Sequence, residues 1–260
     1  MVRLISSLAV VTLLLAACGG ASAPTPPPLD GKQIVTKGME ATANLKSFHV
    51  AVALDGDVKV EQLGSSALKL KGTQLDGDID VAEKQAHLTF AAPTLLGLEG
   101  EVVATEAATY VKTSLTGPKW QKQANDTGPL PSEVQDPTKA LDDLKAFLEK
   151  DGVAVKKLDD IACGSSTCYH VEVTVPSELL NDATASPGTS ASGVLTEDLV
   201  LDMQFDRTKL YLTSVSTSVT SDQVGALRAT VTLSAFDQPV SVTVPPDSQV
   251  DTSGGGFTLP

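Results

Sequence analysis

The chain has 260 residues, a formal net charge of −13 and an aromatic content of only 4%. This length allows one large β domain or two small domains. The acidic balance disfavours nucleic-acid binding, and also binding to anionic lipids through a broad basic face, because both need clustered Lys and Arg. No run of basic residues occurs in the sequence. We therefore expect no nucleic-acid partner.

Residues 1–17 have the organisation of an export signal. Arg3 precedes an apolar run, 4–15, that is too short to cross a bilayer permanently. Ala16-Ala17-Cys18 then resembles a bacterial lipobox, which implies cleavage before Cys18 and acylation, including palmitate, of that cysteine. This predicts a lipid-anchored protein on the extracytoplasmic face of the cell membrane. The alternative is a plain secretory signal with a chance cysteine.

The sequence after the signal divides into three parts. Residues 18–29 combine the lipidated cysteine with a Pro-rich stretch, which excludes a helix and predicts a stiff tether. Residues 30–246 form the predicted single domain. Residues 247–260 include a triple glycine and are predicted to be a flexible tail.

Two segments of the domain have helical periodicity. The first, 30–46, has Asp30 as a possible N-cap, although Gly38 in its interior weakens the prediction. The second begins at Pro137 and ends before Gly152. Its apolar stripe consists of Leu141, Leu144, Phe147 and Leu148. A short helical turn at 177–181 is a third candidate.

Most of the remaining sequence alternates between apolar and polar residues, as in 199–206 and 227–235. Turn signals such as Asp55-Gly56 and Asp76-Gly77 predict hairpins, and hence an antiparallel sheet. Clean alternation indicates one wet face and one covered face. We expect an α+β fold of about 10–11 strands, with both helices on the single apolar face.

Cys163 and Cys168 lie five residues apart around Gly164. In an oxidising compartment, this spacing predicts a disulfide that closes a hairpin. A redox-active pair is the weaker alternative, since the sequence has no C-x-x-C motif and no adjacent cation.

The sequence offers little sign of catalytic or metal chemistry. The three histidines lie in separate predicted strands, and Asp76, Asp78 and Asp80 lack the glycine and glutamate of a calcium loop. There is also no nucleophile elbow, phosphate loop or dinucleotide fingerprint. We expect no metal, no cofactor and no enzymatic activity, although a hydrolase built from scattered side chains stays open as a distant alternative.

Several segments are shared in order with one family. After the lipobox and tether come 44–50 (Asn-Leu-Lys-Ser-Phe-His-Val), 110–112 with 117–120, then 168–171, and finally 233–242. In this order the chain resembles the LppX/LprG-type bacterial lipoproteins, whose fold is like that of the LolA and LolB carriers. One departure is Leu201-Asp202-Met203, where such proteins often have Trp-Val-Asp. The resemblance implies a strongly curved antiparallel half-barrel, with two or three helices on its concave face, around an apolar cavity for acyl chains.

The predicted function is therefore that of a membrane-anchored lipoprotein. It would bind acyl chains of a lipid, glycolipid or lipoprotein and carry them across the cell envelope, with a transporter partner that the sequence does not identify. Periodicity proposes a cavity lining: Met39, Leu88, Phe90, Phe147, Leu148, Leu199, Leu201, Met203 and Phe205. Ordinary core packing is the simpler interpretation of each residue. The alternative function is a surface-exposed sensor or scaffold domain that binds a protein partner and has no lipid cavity.

Overall fold

The structure, a computed structural model, describes residues 28–59, 67–124, 137–164, 166–184, 197–221 and 225–251. The predicted signal, Cys18 and nearly all of the tether lie outside these ranges. The helices within them are α1 (Gly31–Ala43), α2 (Pro137–Leu148) and α3 (Ser177–Thr184). None of these described helices is long and apolar enough to span a membrane.

Fourteen strands form one sheet. They are β1 (Ser47–Lys59), β2 (Ala67–Lys69), β3 (Thr73–Asp80), β4 (Gln85–Ala92), β5 (Leu98–Ala104), β6 (Ala108–Thr113), β7 (Trp120–Ala124), β8 (Ala154–Lys157), β9 (Ile161–Cys163), β10 (Ser166–Val175), β11 (Leu199–Asp206), β12 (Leu212–Ser221), β13 (Gly225–Ser234) and β14 (Val250–Asp251). Their order is β14-β7-β6-β5-β4-β3-β1-β13-β12-β11-β10-β8, while β2 pairs with β1 and β9 with β10.

The sheet is antiparallel except where β14 meets β7, and it stays open between its edge strands β14 and β8. The predicted α+β class, a curved half-barrel with helices, is confirmed. The sheet has more strands than the 10–11 predicted, and three of its strands, β2, β9 and β14, are only two or three residues long. Periodicity cannot be recognised over so few residues.

The main core lies where α1 and α2 pack against one end of the sheet. Helix α1 contacts β8, β10, β11 and β12. Asp30 is its N-cap in a reciprocal capping box with Gln33, which confirms the predicted start. Gly38 is buried, and a Cβ there would come within 2.2 Å of the Phe205 ring. The glycine that weakened the helix prediction is therefore what allows α1 to approach the sheet.

A second cluster lies at the other end of the sheet. Trp120 and Tyr110 are buried there together with Val250 of β14. The prediction that 247–260 is a flexible tail is wrong for its first part, because Val250 and Asp251 pair with β7. Val250 is an apolar residue in a polar segment, and its burial against Trp120 stabilises the added strand. Residues 252–260 lie outside the described ranges.

Asp55-Gly56 and Asp76-Gly77 are not hairpin turns, so that prediction is wrong. Asp55-Gly56 lies within β1, and Asp76-Gly77 lies within β3. A Cβ on Gly56 would come within 1.9 Å of the Ala226 carbonyl oxygen, and one on Gly77 within 2.1 Å of the His87 carbonyl oxygen. Neighbouring strands approach too closely for a side chain at these two points. Glycine inside a strand often marks a point where another backbone comes very close.

The predicted disulfide is confirmed. Cys163 of β9 and Cys168 of β10 are bonded, with their Cα atoms 5.8 Å apart. The bond closes the β9–β10 hairpin, in which Ser166 lies opposite Cys163. Cys168 is fully buried, so the disulfide is a structural part of this hairpin.

Candidate functional site

One row of apolar side chains crosses seven strands on one side of the sheet. Strand pairing places its members next to one another, from β4 across to β10. We call this the inner row: Phe90, Leu75, Val52, Val231, Val215, Met203 and Val171. Because side chains alternate along each strand, all seven point to the same, apolar face.

Burial changes along the inner row. Val171 and Met203 lie in the main core under the helices, at 0% and 7% exposure. The other five members are only half-buried. We call this half-buried stretch of the apolar face, on β4, β3, β1, β13 and β12, the trough. One end of the face is thus sealed by α1 and α2, while apolar side chains remain accessible in the trough.

The opposite face of the sheet carries paired charges on several strands. His87 and Lys112 both contact the carboxylate of Glu101, at 2.7 and 2.8 Å. Burial alone would raise the pKa of Glu101, but the hydrogen bonds from Lys112 and His87 lower it below its ordinary value. His170 pairs in the same way with Asp202. These contacts satisfy the charges within the outer surface.

His49 bridges two carboxylates on this polar face. Its Nδ1 lies 2.9 Å from Asp78, and its Nε2 lies 3.2 Å from Asp76. Carboxylates only accept hydrogen bonds, so both ring nitrogens must carry protons to make the two contacts. The bond with Asp78 is the main reason why the pKa of His49 is raised; partial burial opposes it, and Asp76 adds to it.

This bridge predicts a pH-dependent contribution to stability. A raised pKa in the folded state stabilises the fold at pH values below the ordinary pKa of histidine, and the gain is lost as pH rises through the folded pKa. We expect His49→Gln to lower the free energy of unfolding by about 0.5–1 kcal/mol at pH 5 and by clearly less at pH 8.5. Urea unfolding of both chains at the two pH values measures this. An equal loss at both would contradict it.

The described residues contain no group of three or more His, Cys, Asp or Glu side chains placed to hold a metal ion. Asp76, Asp78 and Asp80 lie on the polar side of β3, where the first two contact His49 and Asp80 accepts the Glu83 N–H at 2.9 Å. These three acids alternate along the chain because they all lie on the polar face of one strand.

Comparisons with known proteins bear on this geometry. Neither protein-family models nor curated protein sequences match the chain. Among solved structures, it is similar to the Mycobacterium tuberculosis lipoprotein LppX, with 16% identity and a TM-score of 0.51 over 82% of this chain and 97% of that chain. The protein has the LppX-type fold.

Two solved complexes of MucB with MucA show a much weaker likeness. MucB in complex with MucA(peri) gives 10% identity and a TM-score of 0.35, over 86% of this chain and 60% of that chain. The Pseudomonas aeruginosa MucA/MucB complex gives 11% identity and a TM-score of 0.36, over 84% and 60% of the respective chains. Neither value approaches that of LppX.

Within the LppX-type fold, the nine residues proposed from periodicity divide into two groups. Those in or against the main core are Met39, Phe147, Leu148, Leu199, Leu201, Met203 and Phe205. Leu88 and Phe90 lie on β4, at the far side of the apolar face. The six strand residues all point to that face. Their role as a ligand lining stays a prediction.

Four residues in the middle of the trough were not among those proposed from periodicity. Val52, Leu75, Val215 and Val231 connect the two groups across β1, β3, β12 and β13. A pattern such as Val50-Ala51-Val52-Ala53 could have indicated that Val52 faces inward, but alanine on the polar side makes the alternation hard to recognise. Only the order of the strands shows that these short apolar stretches are adjacent.

Proposed function

We propose that this protein is an exported, membrane-anchored lipoprotein that binds lipid acyl chains in the trough and carries them across the cell envelope. The observation that carries the proposal is the change of burial along the inner row. The inner row is covered by helices at β10 and β11, and its members from β12 to β4 stay half-buried, while Ile79 of β3 and Ala86 of β4 on the same face are buried in a separate cluster. The LppX-type fold supports the proposal at the level of architecture alone.

The trough has the chemistry that an acyl chain requires. The inner-row members within it are Val, Leu and Phe, whereas the charged residues of β3 and β5 lie on the opposite face. Removing apolar surface from water contributes about 25 cal/mol per Å², or about 0.8 kcal/mol per buried methylene. A long acyl chain laid across the inner row therefore gains affinity without any specific polar contact. Such a site selects for hydrocarbon more than for a particular headgroup.

We expect the protein to work at the outer side of the cell membrane. Acylation of Cys18 would hold it at the extracytoplasmic face of the cell membrane, and the Pro-rich tether would separate the domain from the bilayer. The cargo would be a lipid, glycolipid or lipoprotein that is received from one membrane component and released to another. A transporter of the envelope is the expected partner class.

A substitution at the boundary between trough and core tests the binding site. Leu201 is half-buried on the apolar face, opposite Thr217 and Val173, and Val200 beside it points outward. We expect Leu201→Trp to fill part of the trough and to weaken binding of a fluorescent hexadecanoyl probe by roughly tenfold. Val200→Trp adds the same ring to the polar face and is the matched control. Probe titrations are performed on the chain from Gly19 onward, which keeps every described element.

The two variants separate the proposed function from its alternative. Loss of probe binding in Leu201→Trp alone, with a preserved circular dichroism spectrum, supports an acyl site on the apolar face. Equal binding by both variants and the parent chain would contradict it. No saturable probe binding by the parent chain would favour a scaffold domain that binds a protein partner.

A further inference from the structure

Two hairpin turns at the same end of the sheet are held side by side. They are the β4–β5 turn (93–97) and the β6–β7 turn (114–119). The Ser114 hydroxyl accepts the Glu99 N–H at 3.1 Å and contacts the Gly97 carbonyl at 3.3 Å, while the Ser114 N–H donates to Glu99 at 2.8 Å. On the other side, the Thr94 hydroxyl donates to the Lys69 carbonyl. We call the three linked segments 67–72, 93–99 and 114–119 the rim.

The rim presents the two most exposed large apolar side chains among the described residues. Leu96 is 91% exposed and Leu115 is 64% exposed. Gly97 and Gly117 lie beside them, and a Cβ at either glycine would have no atom within 4 Å. Both turns therefore project from the body of the protein. Leucine side chains at the tips of these turns are not part of the hydrophobic core.

The backbone at Leu96 is also unfavourable for leucine. Its φ is +56°, in the left-handed region that a bulky side chain rarely adopts. Leu210 has a similar φ of +61°, but it is half-buried in the β11–β12 turn. Leu96 has no such packing to offset the strain. Strained backbone of this kind clusters at functional sites.

The charge of the rim is opposite to that of the whole chain. Its charged residues are Lys69, Lys71 and Lys119 against the single carboxylate of Glu99. The chain as a whole has 32 acidic and 19 basic residues. All three lysines are exposed. The general acidity argues against a broad basic face, but the rim is a local exception that suits anionic headgroups.

The rim is continuous with the trough. Phe90 lies opposite Gly100, and the last pair of the β4–β5 ladder is Ala92 with Leu98. Both pairs are on the apolar face, and the 93–97 turn follows directly. The apolar face therefore reaches the base of the 93–97 turn, which carries Leu96.

We propose that the rim docks on the surface of a lipid bilayer. Leu96 and Leu115 insert among the acyl chains, and Lys71 and Lys119 contact anionic headgroups. The end of the trough next to the rim then faces the acyl chains of the bilayer. Membrane contact by the rim does not require a filled trough; only its use in lipid exchange rests on the proposed function above.

Vesicle binding by the chain from Gly19 onward, which lacks Cys18, tests the docking. We use vesicles of phosphatidylglycerol and phosphatidylcholine in equal amounts, and co-flotation as the readout. The test variant is Leu96→Asn with Leu115→Ser. Asparagine tolerates the left-handed region, so this variant is expected to keep its thermal midpoint. Val244→Ser, at 45% exposure, is the control for loss of an exposed apolar side chain.

We expect the double variant to lose vesicle binding by at least about tenfold and the control to bind like the parent chain. Lys71→Gln with Lys119→Gln is expected to weaken binding to these vesicles and to leave binding to pure phosphatidylcholine unchanged. Equal binding by the parent and the leucine variant, or no binding by the parent, would overturn the proposal. A rim that captures a protein partner would give the latter result.

The outcome is separable from that of the proposed function. Acyl-probe binding reports the trough, and co-flotation reports the rim. A chain that binds the probe but not vesicles has a trough without a docking rim. A chain that binds vesicles through Leu96 but not the probe retains the rim and loses the carrier function.

Discussion

Replacing Phe205 by alanine is expected to lower the free energy of unfolding by about 3–5 kcal/mol. Phe205 is fully buried in the main core and is the largest side chain there with no exposure. Its ring lies against Gly38 of α1, so truncation opens a cavity between helix and sheet. Urea unfolding followed by circular dichroism measures the loss.

The matched control is Val244→Ala, which shortens an apolar side chain that is 45% exposed. We expect its effect to stay within about 0.5 kcal/mol. A loss below about 1 kcal/mol for Phe205→Ala would show that α1 is not packed closely on β11, because removing a closely packed aromatic ring costs more than this.

Gly77→Val is expected to destabilise the protein by about 3 kcal/mol or more, through overpacking against the backbone. A Cβ at this position would lie 2.1 Å from the His87 carbonyl oxygen and 2.7 Å from the Leu88 Cα. Backbone atoms of a paired strand cannot rotate away as a side chain can. Strands β3 and β4 would have to separate, which costs ladder hydrogen bonds.

Leu75→Val provides the comparison on the same strand and the same face. Leu75 is half-buried, so the loss of one methylene is expected to cost no more than about 1 kcal/mol. The two unfolding curves are compared under one condition. Equal stability of Gly77→Val and Leu75→Val would contradict the close approach of β3 and β4 at this glycine.

The general architecture could be predicted from the sequence because it follows from local patterns. Alternation in 199–206 correctly separated the residues of β11 that face the core from those that face solvent. The capping residue Asp30 and the Cys163–Cys168 pair also follow from short-range chemistry. Each of these features is determined within a few neighbouring residues.

The errors arose where long-range pairing overrides a local signal. An Asp-Gly dipeptide between apolar residues is a strong hairpin signal, yet Gly56 and Gly77 lie within long strands. They are glycines because a partner strand approaches their Cα atoms, which no local pattern reveals. Val250 likewise joins the sheet through long-range pairing, opposite Trp120.

The candidate site was also only partly predictable, and for the same reason. Periodicity finds which residues face inward, but whether they are sealed depends on which strands the helices cover. Met203 and Val215 are neighbours on adjacent strands, yet Met203 is buried while Val215 remains half-exposed. This boundary, between the part of the apolar face under α1 and α2 and the trough, is a property of the assembled fold.

Native mass spectrometry of the chain from Gly19 onward, purified from bacterial cells without detergent, tests the central claim most directly. If the trough holds hydrocarbon, the spectrum will show the chain with an additional mass in the range of a lipid, which collisional activation releases and organic extraction recovers in near-stoichiometric amount. A folded chain that shows only its own mass in repeated preparations, with no more than traces of lipid in the extract, would contradict it.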